Sequence, residues 1–200
     1  MTIRTILVYP EHQSELRQKS EAVNLNTLQL KQIIEDLQDT LQASEDGIGL
    51  AASQVNIHQR VVIVCLGTEA DEKWQAGSPE VLINPQIVET SDECKDFDGC
   101  LSFPGLYGET VRPHRLRVVG MNEQGQPFDR LFEGFNAVVV HHEIDHLDGV
   151  LFIDRIESVN DLYTIRENEG GEMVKVPYAD ILSRYKNPGC TGALTNGDLV

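Results

Sequence analysis

Two histidines four residues apart, with a glutamate beside the first, constrain this chain more than any other feature. Residues 138–148 read VVVHHEIDHLD, in which His142, Glu143 and His146 spell H-E-x-x-H. In a helix of about 3.6 residues per turn, the two histidines lie one turn apart on the same face. Imidazoles so placed can share one metal ion, and the adjacent carboxylate can handle the proton of a water molecule. Phe135, Val139, His142 and His146 form one stripe at helical spacing, so the histidines are expected on the buried, apolar side of the helix. The same three residues can also serve as a solvated or hydrogen-bonded helix face. Two histidines are only two ligands, and a third has to come from elsewhere.

The 200 residues fit one domain with a substantial core, or a domain with a tail. No apolar run is long enough to cross a bilayer, so no membrane partner is expected. The opening MTIRTILVYPEHQ lacks the apolar stretch and cleavage site of a secretory signal, which points to a cytoplasmic protein. Sixteen basic against 32 acidic residues give a net charge of −16, which argues against broad nucleic-acid binding. The four cysteines, Cys65, Cys94, Cys100 and Cys190, show no C-x-x-C spacing, and in a cytoplasmic chain they are not expected to form a disulfide framework.

Residues 3–9 are a short apolar opening ending at Pro10, and 11–21 are polar and compatible with a helix. Leu30, Ile33, Ile34, Leu37 and Leu41 repeat at helical spacing, with Asn26 as the expected cap and Gly47 as the stop. The segment 47–54, GIGLAASQ, has two readings: a helix-to-strand turn whose glycines reach positive φ, or backbone brought close to a ligand. Residues 60–66 form a β-branched strand with Cys65 as core. Residues 68–79 read as a polar loop, and 81–90 as a strand interrupted at Asn84-Pro85, hence an edge or a bulge. Residues 91–98 are acidic and loop-like, while 116–121 and 127–132 flank a hairpin turn. Residues 150–153 are briefly apolar, 158–165 and 180–185 are short helical candidates, 167–172 are a charged loop, and 187–200 are a loose tail that holds Cys190. Strands crowd the middle of the chain between two helices. The fold class is α+β: mixed or antiparallel strands packed around a central metal-binding helix, with an N-terminal helix.

The other unusual stretch is Asp98-Gly-Cys-Leu-Ser102, followed by Phe103-Pro-Gly105. Cys100 there is either a buried thiol or the missing third ligand, its thiolate suiting a borderline divalent ion.

Three motifs now stand in order: G-x-G-L-A-A-x-Q at 47–54, G-C-L-S at 99–102 and H-E-x-D-H-L-x-G at 142–149. Together they resemble the bacterial peptide deformylases, over about residues 6–156. The resemblance implies that Cys100, His142 and His146 hold one divalent metal ion and leave the fourth position to water. It implies Fe2+ in the cell, with Zn2+, Ni2+ or Co2+ possible in a purified sample. Glu143 is then the acid–base group, and the Gln54 amide and the Leu101 N–H stabilise the oxyanion. Gly47 and Gly49 let backbone approach an extended substrate, and Phe135, Val138 and Val139 wall a pocket for methionine. The implied reaction removes the formyl group from N-formylmethionyl nascent peptides, with the ribosome as a possible partner. Residues 1–165 form the catalytic unit, and 166–200 a partly flexible extension.

The chain departs from the family pattern at two positions. Asp98 stands where glutamate is usual and would pair with Arg112. His141 replaces a glutamine and, about 100° round the helix from His142, should point away from the metal. Asp145 either orients a neighbour or faces outward. The rival functions are a zinc peptidase and a non-catalytic formyl-peptide binding protein. A purely structural metal site would need a fourth protein ligand, for which Cys94 is the candidate.

Overall fold

The computed structural model describes residues 2–24, 27–44, 47–70, 73–168 and 171–179. Its architecture follows from the apolar run after Arg60. Strand β1 (Gly49–Ala51) pairs antiparallel with β2 (Val61–Ala70), and Val61, Val62, Ile63 and Val64 are all fully buried. Burial on both faces is what an unbroken β-branched run requires, because alternate residues point to opposite sides of a sheet. Val61 and Ile63 pack with Leu30, Ile33, Ile34, Leu37 and Leu41 of helix α2 (Leu28–Ala43). Val62 and Val64 pack instead with Ala137, Val140, Ile144 and Leu147 of helix α3 (Phe135–Leu147). The two helices therefore cover opposite faces of the sheet.

The cap of α2 is Thr27, whose hydroxyl accepts from Leu30 N–H at 3.0 Å; the expected Asn26 lies outside the described residues. The helix ends at Ala43 with Ser44 as C-cap, so Gly47 is not its stop. Of residues 11–21, only Gln13–Leu16 are helical, as a single turn, α1.

The sheet continues through β3 (Lys73–Gly99) and β4 (Tyr107–Met121), and β4 pairs at one end with β5 (Pro127–Glu133). At its other end β4 pairs with β6 (Leu162–Glu167), which pairs with β7 (Met173–Pro177). All of these ladders are antiparallel, in the order β1-β2-β3-β4-β6-β7 with β5 beside β4. The α+β expectation holds in its antiparallel form.

Three local expectations fail. Of the expected loop 68–79, residues 68–70 and 73–79 are strand: Gly67 pairs with Ala76 and Thr68 with Gln75 across the β2–β3 hairpin. Residues 91–98 are strand, because an acidic sequence has basic cross-strand neighbours, with Asp92 3.8 Å from Arg115 and Asp96 3.1 Å from His114. Residues 158–165 form a 3-10 turn (Val159–Asp161) and then β6, where Tyr163 and Leu162 pair with Tyr107 and Gly108. Asn84-Pro85 is the expected bulge, with Asn84 at φ 50° and the β3–β4 register shifting between Ile83 and Gln86. The hairpin at 121–127 forms as expected, Met121 facing Pro127. Residues 180–185 and 187–200, including Cys190, lie outside the described residues.

Helix α3 is buried on every side from Ala137 to Leu147, not along one stripe. It can be, because His141, His142 and Asp145 have partners inside. Gly149 ends it at φ 73°, with the space of a side chain taken by Arg17 backbone, whose carbonyl carbon would lie 2.9 Å from an added Cβ. Among the described residues no helix is long and apolar enough to cross a membrane.

Candidate active site

Helix α3 delivers His142, Glu143 and His146, and the chain leaving β3 at Gly99 delivers Cys100. Cys100 Sγ lies 3.2 Å from His146 Nε2, and His142 Nε2 lies 3.1 Å from the same atom. One sulfur and two ring nitrogens thus converge, all within 4.8 Å of one another. Soft sulfur and imidazole nitrogen suit a borderline divalent ion such as zinc or ferrous iron. Cys94 does not join them: among the described residues the cluster holds only these three groups.

The orientation of His142 is fixed from behind. Its Nδ1–H donates to Asp98 Oδ1 at 2.7 Å, which leaves the Nε2 lone pair facing Cys100 and His146. Asp98 is held in turn by Thr110 Oγ1 at 2.9 Å and Arg112 Nε at 2.8 Å. Burial works against charge on Asp98, yet His142 and Arg112 outweigh it and hold the carboxyl well below the usual range. In the same way burial disfavours charge on His142, but Asp98 overrides it and holds the imidazole well above its ordinary range.

Arg112 has no exposed surface, and its Nη1 donates to Asp145 Oδ2 at 2.8 Å and to His141 Nδ1 at 2.7 Å. Burial pushes the His141 imidazole down to about 4, which makes it a neutral acceptor. His141 thus points away from the cysteine–histidine cluster, as expected. Asp145, undecided from sequence, orients neighbours: Arg155 grips it through two hydrogen bonds of 3.0 and 2.8 Å.

Glu143 is buried, and its Oε2 has no hydrogen-bond partner among the described residues. Burial raises its carboxyl to about 7, with His142 partly opposing. Gly49 makes room for it: a Cβ there would collide with Oε1 and lie 2.8 Å from Cδ. Neither Gly47 nor Gly49 has positive φ, so close approach explains both, Gly47 being hemmed in by Leu41 and Leu101.

Gln54 sits in the 3-10 turn Ala52–Val55 that follows β1. Its Oε1 accepts from Ala51 N–H at 2.9 Å, which turns the amide NH2 toward Ser102 Oγ at 3.1 Å and Cys100 Sγ at 3.6 Å. A cavity of about 790 Å³ joins these groups. Gly47, Gly49, Leu101, Phe135, Val138 and Val139 all line it. Every site residue expected from sequence is therefore at or around one cavity.

Comparison with known proteins decides the lineage. The polypeptide deformylase family matches residues 3–161. The chain belongs to the polypeptide deformylase family. It is 37% identical over 160 residues to the peptide deformylase of Azotobacter vinelandii, covering 80% of this chain and 90% of that one. The peptide deformylase of Alkalilimnicola ehrlichii is 39% identical over 159 residues, covering 80% and 85%. Among solved structures, the Thermotoga maritima peptide deformylase superposes with a TM-score of 0.69 at 35% identity, covering 79% of this chain and 100% of that one. The Met-Ala-Ser complex of the Acinetobacter baumannii class I type b enzyme gives 0.70 at 31% identity, covering 78% and 99%. Like the family, this deformylase is a metal-dependent hydrolase that acts on formylated nascent peptides.

Sequence reasoning missed part of the surroundings. Ser102 and Thr110 carry hydrogen bonds of the site, and Phe97, Phe103, Leu106 and Tyr107 line the cavity. The signal for Thr110 is its alternation with Arg112 on one strand face, which becomes visible once residues 107–121 are read as a strand. Reading 91–98 as a loop hid Phe97.

Proposed function

We propose that the chain removes the formyl group from N-terminal formylmethionine through Cys100, His142 and His146 as metal ligands and Glu143 as the proton carrier. The observation that carries this reading is the convergence of one sulfur and two ring nitrogens beside a buried carboxyl. A divalent ion held there supplies Lewis acidity, which lets water ionise near neutral pH and draws charge from a carbonyl oxygen. Iron in the ferrous state is the proposed ion in the cell, with zinc, nickel or cobalt as substitutes after purification.

Glu143 takes one proton from the attacking water and returns it to the departing amine nitrogen as the formyl C–N bond breaks, leaving formate and a free methionine amine. A carboxyl whose burial places it near neutrality suits both halves of that task. The Gln54 NH2 and the Leu101 N–H donate to the carbonyl oxygen as its negative charge develops. Ser102 and Ala51 hold the Gln54 amide in place, so no reorganisation is needed during the reaction. The backbone at Gly47 and Gly49 runs beside an extended substrate in the manner of an added strand. Phe135, Val138 and Val139 receive the methionine side chain. Residues 1–165 form the catalytic unit, with 166–200 as its extension. Chains emerging from the ribosome are the substrate, which places the protein in the cytoplasm.

The test is anaerobic formate release from formyl-Met-Ala-Ser by iron-loaded protein, beside Glu143→Ala. Release by the parent protein and near-silence from a variant that keeps its metal support the assignment. A parent protein carrying one metal per chain that releases nothing would overturn it in favour of a formyl-peptide binder.

A further inference from the structure

Four side chains form a continuous strip across four adjacent strands, starting at the mouth of the cavity and ending on the C-terminal hairpin. Phe97 and Tyr107 both line the cavity, and their rings stack with centroids 5.8 Å apart. Gly99, directly opposite Tyr107 in the ladder and two residues from Phe97, lets the Tyr107 ring lie across β3: an added Cβ would lie 3.0 Å from Tyr107 Cδ1. Tyr107 pairs with Tyr163 of β6 across the ladder, rings stacked at 6.3 Å. Lys175 of β7 lays its Nζ 4.1 Å from the centre of the Tyr163 ring. Phe97 is exposed, Tyr107 half-buried and Tyr163 buried, so the strip is open where it meets the cavity and braced beyond it.

A substrate whose first residue occupies the cavity continues outward as a polypeptide, and the strip lies where the cavity opens. Stacked aromatic rings offer flat faces to another aromatic or apolar side chain. We infer that the β6–β7 hairpin completes the peptide site by bracing Tyr107, and that the Phe97–Tyr107 surface selects an aromatic side chain just downstream of formylmethionine. Tyr163 is then a positioning residue that acts through Tyr107, and Lys175 holds Tyr163 from the far side. This inference rests on the proposed deformylase reading and adds to it a preference in the substrate. The hydroxyl of Tyr163 is buried with no hydrogen-bond partner among the described residues, so only its ring enters the argument.

The experiment compares formyl-Met-Ala-Ser with formyl-Met-Phe-Ser and formyl-Met-Ala-Phe on the metal-loaded full chain. One aromatic stacking contact corresponds to a preference of about three- to tenfold for at least one Phe peptide, carried by KM with kcat unchanged. Tyr163→Leu should abolish the preference by raising KM for the favoured peptide more than for formyl-Met-Ala-Ser, while Tyr163→Phe should keep it. Phe97→Ala, at an exposed strand position, provides the same check without touching the buried ring. Equal KM for all three peptides in the parent protein, or a preference that survives both Tyr163→Leu and Phe97→Ala, would overturn the inference and leave deformylation intact. A parent protein that deformylates none of the peptides would overturn the catalytic reading and this inference with it.

Discussion

Replacing Arg112 with methionine tests whether the second layer of the site is held by charge. The substitution keeps an unbranched apolar stem in a position with no exposed surface but removes every donor of the guanidinium. Asp98 loses its 2.8 Å bond to Nε, Asp145 loses one of 2.8 Å to Nη1, and His141 loses its donor. Leaving a buried carboxylate without its cation costs about 3–5 kcal/mol. Asp145 keeps Arg155 and Asp98 keeps Thr110 and His142, so the lower end applies, about 3 kcal/mol. For a chain of this size that corresponds to a Tm lower by roughly 6–12 °C. With Asp98 freed, His142 is less firmly oriented and metal affinity should fall about 10–100-fold. Urea unfolding of metal-stripped protein isolates the stability loss, and competition with a chelator measures the affinity. Arg112→Lys, which keeps the charge but not the fork, should fall between parent and Arg112→Met. A stability loss below about 1 kcal/mol, the size of a single neutral hydrogen bond, together with unchanged metal affinity, would refute the idea that this arginine neutralises the carboxylates.

Three further outcomes follow from single positions and a fourth from removal of the metal. Gly49→Ala pushes a methyl group into the Glu143 carboxylate, and formate release should drop by about 10²-fold at unchanged metal content. Gly149→Ala meets both a φ of 73° and the Arg17 backbone, and urea unfolding should register a loss of about 1–3 kcal/mol. Cys94→Ser should leave metal content at the parent level, because Cys94 stands outside the cysteine–histidine cluster; loss of metal would revive a structural role for the ion. Chelation should lower stability by an amount that grows with the logarithm of free metal over Kd, about 4 kcal/mol where free metal exceeds Kd a thousandfold, and calorimetry with and without chelator reads it directly.

The sequence carried the chemistry of the site further than its architecture. His142, Glu143 and His146 are legible because one helix sets their spacing, and Cys100 because a two-histidine site lacks a ligand. Residues 61–64 are legible as a buried strand because every position is β-branched, although nothing local shows that α2 and α3 divide its two faces. Residues 91–98 are not legible as a strand, because an acidic segment looks like a loop until Arg115, His114 and the rest of β4 are placed opposite it. The same appearance hides Phe97. The burial of α3 on every side is hidden for a related reason. His141 and Asp145 look like a wet face in sequence, but an arginine 29 residues from His141 enters the core to meet them, and no periodicity encodes a partner at that separation.

Charge balance explains why a wholly buried helix can carry this many ionisable groups. Asp98 and Asp145 offset Arg112 and Arg155, which leaves the layer behind the ligands formally neutral. A divalent ion would bring two positive charges, matched by a Cys100 thiolate and an ionised Glu143. In the proposed reaction, protonating Glu143 would then leave one positive charge uncompensated in a poorly screened interior, which would favour release of the proton to the leaving amine. Burial alone pulls the other way, since it raises the Glu143 carboxyl to about 7 and favours the protonated form. The two opposing influences hold this carboxyl where it can both accept and surrender a proton. Neither would operate on the solvated helix face that H-E-x-x-H in isolation also permits.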